Sequence, residues 1–373
     1  MNYLVLGEGP EELAWAQVLA HHPEHRLWAA CPALKAFPNV PGLHDLDEAL
    51  ATAGVEAVIV GGPPDFRAEA LRRAAAEGLA ILCLHPPGPD ADSYYQVALS
   101  RQETGAVIVP DLPARLHPGV ARLRAALERE ELGPFRGLKL EAPVGPTDGD
   151  LVDHVFPRMV DVLRALLGEV ESLTATGDPH GEGGTENLLV ILHGPQARRA
   201  EIRLWNGSPE PAQLSGMGQR GSLTLEFDPG FLGPCRLLKR VPPGGEETEE
   251  LPEWDPRAAM LDVLVRAKGG ADVHPDLVDG TRTMELAEAT KRSLRRGRTI
   301  ELHFERPSEA GRFKSFMTST GCALLLGILL ALPMALVGPA FGLPWTLYLA
   351  YAIPPLLVVF LLVQIVRYAL EKD

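Results

Sequence analysis

The chain contains 373 residues, of which 46% are hydrophobic, and carries a formal net charge of −14 at pH 7. This length accommodates two domains and a further segment, and the apolar content supports a sizeable core. The negative charge argues against a nucleic-acid partner, because such binding depends on cationic contacts to phosphates. The four cysteines are scattered without C-x-x-C spacing, so we expect neither a disulfide framework nor a metal site.

The N-terminal residues predict a strand, a tight turn and a helix. The apolar run at residues 3–6 ends at Gly7, and Gly9 and Pro10 open a segment whose apolar residues recur every three or four positions. In dinucleotide-binding folds, the free backbone N–H groups of such a corner face the diphosphate of the cofactor. We therefore assign Gly7, Gly9 and Pro10 to cofactor binding.

This corner departs from the G-x-G-x-x-G fingerprint, because Glu12 stands where a third small residue is expected. Glu8, Glu11 and Glu12 place three carboxylates near the predicted diphosphate position. Each carboxylate within about 4 Å of a phosphate would oppose binding by roughly 1–4 kcal/mol at effective dielectric constants of about 80 to 20. Two interpretations stay open: the corner binds a dinucleotide, or it keeps the shape and no longer binds one tightly.

The following residues alternate between buried-type strands and helices. Strands are predicted at 25–31, 55–60, 79–84 and 106–109, and helices at 65–78, 93–104 and 117–129. Such alternation predicts an open parallel sheet with a ligand crevice at the carboxyl ends of its strands. We assign Gly61, Gly62 and Pro63, which follow the third strand, to this crevice.

The end of the second strand lacks the acid that holds the ribose hydroxyls of NAD in this fold. Cys31 and Pro32 occupy that place. We assign Cys31 to the cofactor site and leave two alternatives open. The cofactor is NADP, whose ribose phosphate would meet Lys35, or no dinucleotide binds at all.

Four patterns in the right order resemble the glucose–fructose oxidoreductase / inositol dehydrogenase (Gfo/Idh/MocA) family. Residues 57–78 match its strand, Gly/Pro turn and helix, and residues 80–86 (AILCLHP) stand where the family has the strand leading to Glu-Lys-Pro. Residues 115–135 resemble its Arg-x-x-Pro helix and exit, and residues 285–302 resemble its closing helix and strand. The resemblance covers roughly residues 1–303. It implies an oxidoreductase with NAD(P) as cofactor and a small sugar-like ligand.

The resemblance also implies a second domain whose open sheet covers the crevice. Short alternating runs set off by Gly and Pro agree with it, at 138–143, 172–176, 188–193, 201–205, 222–227 and 235–239. The acidic stretch at 244–250 is predicted as a solvated loop. We therefore predict an α/β Rossmann-like domain at 1–118, and at 119–304 an α+β domain with an open, mostly antiparallel sheet, whose last helix and strand span 276–303. The resemblance implies homo-oligomers formed through the exposed sheet face.

The Glu-Lys-Pro motif of the family is altered in this chain. Leu84 and His85 replace its Glu and Lys, and we assign His85 to both the catalytic and the cofactor site. Arg115 and His117 stand near the start of the next predicted helix. They are predicted to be a loop anchor and a helix start rather than catalytic residues.

The second family motif, Asp-x-Gly-x-His-x-x-Asp on a helix, supplies the family with an acid/base His. At its first three fixed positions this chain has His154, Phe156 and Arg158, and only Asp161 matches. His154, Arg158 and Asp161 are spaced to share one helical face. We assign all three to the candidate catalytic site.

Arg158 cannot accept a proton from an alcohol, because a guanidinium stays protonated up to a pH of about 12. His154 or His85 has the imidazole chemistry to replace the missing base. The alternative is that His154 and Arg158 are surface residues bracketed by Asp153 and Asp161.

The C-terminal segment has no charged side chain between Ser315 and Val366. Residues 320–336 and 347–366, at about 17–20 residues each, are long enough to cross a bilayer. Basic residues flank the pair of spans and none lies in the turn, which places both termini in the cytoplasm. We predict a linker at 305–319 and a hairpin of two transmembrane helices at 320–368. The hairpin would anchor the soluble domains to the cytoplasmic face of the inner membrane.

These features support two functional hypotheses. In the first, the chain is a membrane-anchored, NAD(P)-dependent oxidoreductase whose chemistry is impaired or altered. In the second, it is a non-catalytic binding or scaffold protein that keeps the oxidoreductase fold. The acid-rich turn and the replaced Lys and His favour the second hypothesis, and the retained domain plan favours the first.

Overall fold

The computed structural model describes residues 1–145, 150–178, 185–207, 210–230, 233–242 and 244–302, together with 333–335, 341, 343 and 348. Met1–His303 form one compact unit. The predicted hairpin at 320–368 lies outside the described residues apart from a few positions, and its linker lies wholly outside them. No helix within the described part of the chain is both long and apolar enough to cross a bilayer. The hairpin therefore stays a prediction.

Five parallel strands form the first sheet. They are β1 (Asn2–Leu6), β2 (Arg26–Cys31), β3 (Ala57–Val60), β4 (Ala80–Cys83) and β5 (Val107–Pro110), and helices α1 (Pro10–His21), α2 (Leu46–Leu50), α3 (Pro64–Ala76) and α4 (Asp92–Thr104) connect them. The strand order is β2-β1-β3-β4-β5. The chain thus reverses direction across the sheet at β1 and β3, where such sheets open a crevice for a ligand. The predicted parallel sheet is confirmed.

The turn between β1 and α1 has the predicted geometry. Gly7 has a φ of +108°, in a region that residues with a side chain rarely adopt. Pro10 occupies the start of α1, where its fixed φ suits a helix and its missing N–H is not needed. The predicted strand, turn and helix are therefore present.

Nine strands form the second sheet. They are β6 (Phe135–Val144), β7 (Ser172–Gly177), β8 (Asn187–His193), β9 (Arg199–Asn206), β10 (Ala212–Gly218), β11 (Ser222–Phe227), β12 (Cys235–Arg240), β13 (Glu246–Leu251) and β14 (Ile300–Glu301). Their order is β13-β12-β11-β10-β6-β9-β8-β7-β14. Only the β6–β9 pair is parallel among these ladders. The open, mostly antiparallel sheet is confirmed.

The prediction of a loop at 244–250 was wrong, because most of this stretch forms β13 at the edge of the second sheet. Its acids lie opposite basic residues of β12, with Glu246 facing Arg240 and Glu247 facing Lys239. Opposite charges on paired strands stabilise the pairing, and a charged edge strand discourages further strand addition.

Four further helices complete the unit: α5 (Pro118–Glu128), α6 (Phe156–Leu167), α7 (Pro256–Lys268) and α8 (Leu277–Arg296). A π-helical turn at Leu151–Val155 leads into α6. Helix α7 returns to the first sheet, where Met260 and Leu264 share a core with Tyr3 and Val5. The core of the first domain therefore includes a segment that the predicted boundary at residue 118 leaves out.

Candidate active-site crevice

A crevice of about 1520 Å³ lies along the carboxyl ends of the parallel strands. Loops of the first sheet contribute Gly9, Gly62 and Asp111 to its lining, and the second domain contributes Val144 and Arg158. This is the place that the strand order predicts for a ligand. Gly9, Pro10, Gly62 and Pro63, all assigned to the cofactor site from the sequence, line it, whereas Gly7 and Gly61 lie behind the lining.

The Glu12 side chain fills the turn between β1 and α1. Its Oε1 accepts a hydrogen bond from the Gly62 backbone N–H at 2.5 Å, and the residue is only 3% exposed. A Cβ atom added at Gly9 would lie 2.5 Å from Glu12 Oε2, and one added at Gly7 would lie 2.9 Å from Glu12 Cγ. An added Cβ at Gly61 would also collide with this side chain.

The glycines of this turn therefore make room for Glu12. A phosphate cradle needs the same glycines, because only bare backbone lets N–H groups approach an anion closely. In the conformation observed, the carboxylate of Glu12 occupies that space and accepts the N–H of Gly62. The residues of the turn do not fit a dinucleotide diphosphate while Glu12 stays there.

Cys31 and Lys35 do not reach the crevice. Cys31 is buried at the end of β2, burial raises the pKa of its thiol, and its carbonyl accepts the Gly7 N–H at 2.8 Å. Lys35 is exposed, and neither residue belongs to the lining. Cys31 thus shapes the turn through its backbone.

Arg158 spans the crevice from α6. Its Nη1 and Nη2 donate to the two carboxylate oxygens of Glu11 at 2.6 and 3.0 Å, and its Nε donates to the His85 carbonyl at 2.6 Å. The side chain that stands at the family's His position is therefore a bridge between the two domains. Its charge is engaged by Glu11, and it has no proton-accepting atom.

His85 lies behind the lining rather than in it. Its Nδ1 lies 3.2 Å from the Tyr94 hydroxyl, and its Nε2 lies 2.9 Å from Thr283 Oγ1, which itself donates to the Gly280 carbonyl. The ring is 1% exposed, and burial, with Arg158 and Arg67 nearby, holds its pKa well below the usual value. A neutral imidazole with both nitrogens occupied does not fit the acid/base role predicted for it.

Asp161 belongs to a buried ion network and not to the crevice. Arg115 Nε donates to Asp161 Oδ2 at 2.6 Å, and Arg115 Nη1 donates to Asp279 Oδ2 at 2.7 Å. Arg164 reaches Asp279 Oδ1 at 3.3 Å. Asp161 is fully buried, so its role is to hold α6 to Arg115, as Asp279 holds α8.

The structure agrees with the roles predicted for Arg115 and His117. Arg115 lies in a short 3₁₀ turn (Pro113–Leu116) and anchors it through the two carboxylates. His117 caps α5, where its Nδ1 accepts the Gly119 N–H at 3.0 Å. Burial lowers the pKa of His117 to about 4, which keeps the accepting nitrogen unprotonated.

His154 lines the crevice, as a catalytic residue must. It lies in the π-helical turn, and its Nδ1 is buried without a hydrogen-bond partner among the described residues. Of the four predicted catalytic residues, the structure therefore brings His154 and Arg158 to the crevice and places His85 and Asp161 behind it.

Asp111 is a crevice residue that the sequence analysis missed. It follows β5 directly, its Oδ2 accepts the Trp15 indole N–H at 3.3 Å, and its backbone N–H donates to the Cys83 carbonyl at 2.7 Å. Burial and then the nearby Glu11 carboxylate raise its pKa to about 6. The available signal was an acid placed immediately after a buried parallel strand, at the edge where ligands bind.

Arg67 was also missed. It lies in the first turns of α3, and its two Nη atoms donate to the carbonyls of Gly62 at 2.8 Å and Pro86 at 2.6 Å. The guanidinium thereby ties the loop after β3 to the loop after β4.

Acids outnumber bases among the described lining residues. Eight carboxylates (Glu8, Glu11, Glu12, Asp111, Glu210, Glu226, Asp228 and Glu250) face four guanidinium groups (Arg67, Arg158, Arg236 and Arg257). Part of this charge is internally paired, as in the 2.7 Å contact between Arg236 and Glu226. The remaining negative potential favours a neutral or cationic ligand over a phosphate-rich one.

The chain resembles known proteins over part or most of its length. No family model matches it. An inositol 2-dehydrogenase of Arthrobacter sp. is 28% identical over 170 residues, which are 44% of this chain and 50% of that protein. An inositol 2-dehydrogenase of Rhizobium meliloti is 23% identical over 333 residues, 81% of this chain and 99% of that protein. The chain thus spans half the length of the first of these relatives and nearly all of the second.

Solved structures share the fold. A myo-inositol dehydrogenase from Corynebacterium glutamicum superposes with a TM-score of 0.66 at 18% identity, covering 82% of this chain and 99% of that one. The chain is similar to inositol dehydrogenases of the Gfo/Idh/MocA type. The resemblance inferred from the sequence motifs is confirmed at this level.

One neighbour with the fold of these inositol dehydrogenases contains a cofactor. It is an oxidoreductase from Agrobacterium radiobacter in complex with NAD+, L-tartaric acid and magnesium, with a TM-score of 0.68 at 15% identity, covering 81% of this chain and 98% of that one. A dinucleotide is therefore compatible with the fold. Whether this chain holds one depends on its own turn, which Glu12 fills.

Proposed function

We propose that the chain is an oxidoreductase of the inositol dehydrogenase type that acts on an alcohol group of a small, neutral polyol or sugar. The observation that carries the proposal is the crevice, which lies at the reversal point of the strand order in a fold shared with inositol dehydrogenases. The proposed chemistry is altered, because the family's Lys and His positions hold His85 and Arg158.

Asp111 is the proposed proton acceptor. An alcohol must lose its proton when it is oxidised, and a base works best with a pKa near the operating pH. The pKa of Asp111 is about 6, whereas His85 is buried and Arg158 stays protonated. Trp15 orients the carboxylate through its indole N–H. His154, on the opposite wall of the crevice, is the second candidate for this role.

The ligand class follows from the charge and size of the crevice. A volume of about 1520 Å³ exceeds the need of a single sugar ring, and acids outnumber bases among the described lining residues. Carboxylates and guanidinium groups bind the hydroxyl groups of a polyol well, since they accept and donate hydrogen bonds respectively. NAD(P) is the proposed cofactor, since a neighbour with this fold contains NAD+. Its binding here requires Glu12 to leave the turn and works against the negative charge of the lining.

The test is a turnover assay on the full chain, solubilised in mild detergent. NAD+ or NADP+ is supplied with a panel of inositols and aldoses, and the reduced nicotinamide is followed by its absorbance. We expect slow oxidation in the wild type, a loss of about 10²-fold or more in Asp111→Asn, and unchanged rates in Asp65→Asn, whose carboxyl is exposed outside the crevice.

Two outcomes would contradict the proposal. Full activity in Asp111→Asn with loss in His154→Gln would move the proton acceptor to His154. No turnover with any polyol at saturating cofactor would favour the non-catalytic binding protein instead, an alternative that the filled turn at Glu12 supports.

We also propose that residues 320–368 anchor the protein in the cytoplasmic membrane, with the crevice facing the cytoplasm. The support is the uncharged run between Ser315 and Val366 with basic residues on both flanks. The full chain should resist extraction from membranes at alkaline pH, and a chain ending at residue 312 should be released. Release of the full chain by the same treatment would contradict the anchor.

A further inference from the structure

The Glu12 carboxylate lies in the turn between β1 and α1, where a bound anion would lie in a phosphate-binding corner. It lies at the start of α1, where unpaired backbone N–H groups and the helix dipole favour negative charge. It is buried, and it accepts the Gly62 N–H of the neighbouring loop at 2.5 Å. This side chain fills the space beside Gly9 and Gly61, and at Gly7 it shares the space with the Gly62 backbone.

We propose that Glu12 sets the dinucleotide affinity of the crevice, because its carboxylate takes the position of one phosphate and must leave before a diphosphate can bind. The proposal rests on the proposed function only for the class of ligand. It assigns to Glu12 the part of a competing anion built into the chain.

Two physical reasons exclude joint occupancy. The first is steric, since a Cβ atom added at Gly9 or Gly61 would collide with the Glu12 carboxylate, so the space that a phosphate would enter beside these two glycines already holds Glu12 atoms. The second is electrostatic, since a carboxylate and a phosphate in contact repel one another, most strongly where water is excluded. Binding therefore includes the cost of moving Glu12.

Glu12 has a route out of the turn. It belongs to the lining of the crevice, so rotation about its side-chain bonds can carry the carboxylate toward the open volume. The apparent affinity for a dinucleotide is then the intrinsic affinity multiplied by the fraction of molecules in which the side chain has left. A residue without a carboxylate at position 12 removes this competition.

The neighbouring Glu8 provides a matched control. It belongs to the same turn and carries the same charge, but its side chain is exposed, whereas that of Glu12 is buried. Solvent and salt screen an exposed charge. Removal of Glu8 therefore tests the general charge of the turn, and removal of Glu12 tests the occupied position.

The experiment measures NADH and NADPH binding to the full chain by nicotinamide fluorescence. The fingerprint has Gly or Ala at the position of Glu12. We expect Glu12→Gly and Glu12→Ala to lower the Kd for NADH and NADPH by about tenfold or more relative to wild type. We expect Glu8→Gly to change it by less than about threefold. Folding of each variant is checked by thermal unfolding, and either folded Glu12 variant decides the result.

A folded Glu12 variant that binds no more tightly than wild type overturns the inference, as does an equal gain in Glu8→Gly. The outcome is distinguishable from that of the proposed function. A wild-type chain without turnover whose Glu12→Gly variant gains dinucleotide affinity upholds the inference and contradicts the activity. An active wild type whose Glu12→Gly variant binds the dinucleotide no more tightly upholds the activity and contradicts the inference.

Discussion

Arg158 and Glu11 form a two-point ion pair across the crevice, with Nη1–Oε1 at 2.6 Å and Nη2–Oε2 at 3.0 Å. Glu11 belongs to the first turn of α1, and Arg158 belongs to α6 of the second domain. Arg158, which stands at the position of the His in the Gfo/Idh/MocA motif, thus links α1 of the first domain to α6 of the second. This pair ties the two domains together across the crevice.

A double-mutant cycle should detect this link. Arg158→Ala and Glu11→Ala are each expected to lower the free energy of unfolding, with a coupling of roughly 0.5–1 kcal/mol. The value is small because the two side chains are 40% and 43% exposed, so water screens them. Chemical denaturation of the four chains measures it, and the exposed Arg72–Glu69 pair on one helix serves as a weaker control. Fully additive effects would contradict the link.

The rate of the proposed oxidation should rise with pH around pH 6, where Asp111 loses its proton. The rate reports the ionised form of the acceptor, because only the carboxylate can take the alcohol proton. A pH profile of kcat/KM on the wild type and on Asp111→Asn measures it. If kcat/KM of Asp111→Asn still rises with pH around pH 6 as in the wild type, the titration belongs to another group.

Asp111 also makes stability depend on pH in a defined direction. Its folded pKa of about 6 lies above the unfolded value of about 4, so the folded chain binds more protons in between. Its contribution to stability is present below pH 4 and is lost as pH rises to about 6, by up to about 1.4 kcal/mol per pH unit. Asp111→Asn should remove this slope, measured by denaturation at several pH values.

The contribution of His117 to stability should change with pH in the opposite direction to that of Asp111. Burial depresses its folded pKa to about 4, below the unfolded value of about 6.5. Its contribution is present above pH 6.5 and is lost as pH falls to about 4, by about 3 kcal/mol in total. His117→Asn keeps a cap for α5 without a titrating group. A variant with the wild-type loss of stability between these pH values would contradict the assignment.

Removal of Asp161 should destabilise the fold strongly. Asp161→Ala leaves Arg115 and Arg164 with one buried carboxylate, Asp279, and breaking such a network costs about 3–5 kcal/mol. Arg122→Ala, which breaks the exposed pair with Glu249, should cost less than about 1 kcal/mol. Thermal unfolding of both variants compares them. A cost for Asp161→Ala as small as that of the control would show that the network contributes little.

Local sequence patterns predicted the elements of the first domain closely. The apolar run before Gly7, the Pro at the start of α1 and the strand–helix alternation each act over a few residues, so they can be seen without the fold. β13 was missed for the opposite reason. Its acids carry no strand pattern, and its pairing with β12, which places basic residues opposite three of its acids, becomes visible only in the fold.

The sequence by itself determined that an acid-rich strand, turn and helix open a parallel sheet. It also determined that His85 and Arg158 stand where the Gfo/Idh/MocA family that the chain resembles has Lys and His. Only the tertiary structure decided where those side chains point. Glu12 meets Gly62 across 50 positions and Glu11 meets Arg158 across 147, distances over which no periodicity carries information. Side-chain partners of this kind form because the fold brings the chain segments together. The filled turn and the bridged crevice therefore appear only once the strands are paired and the helices are packed.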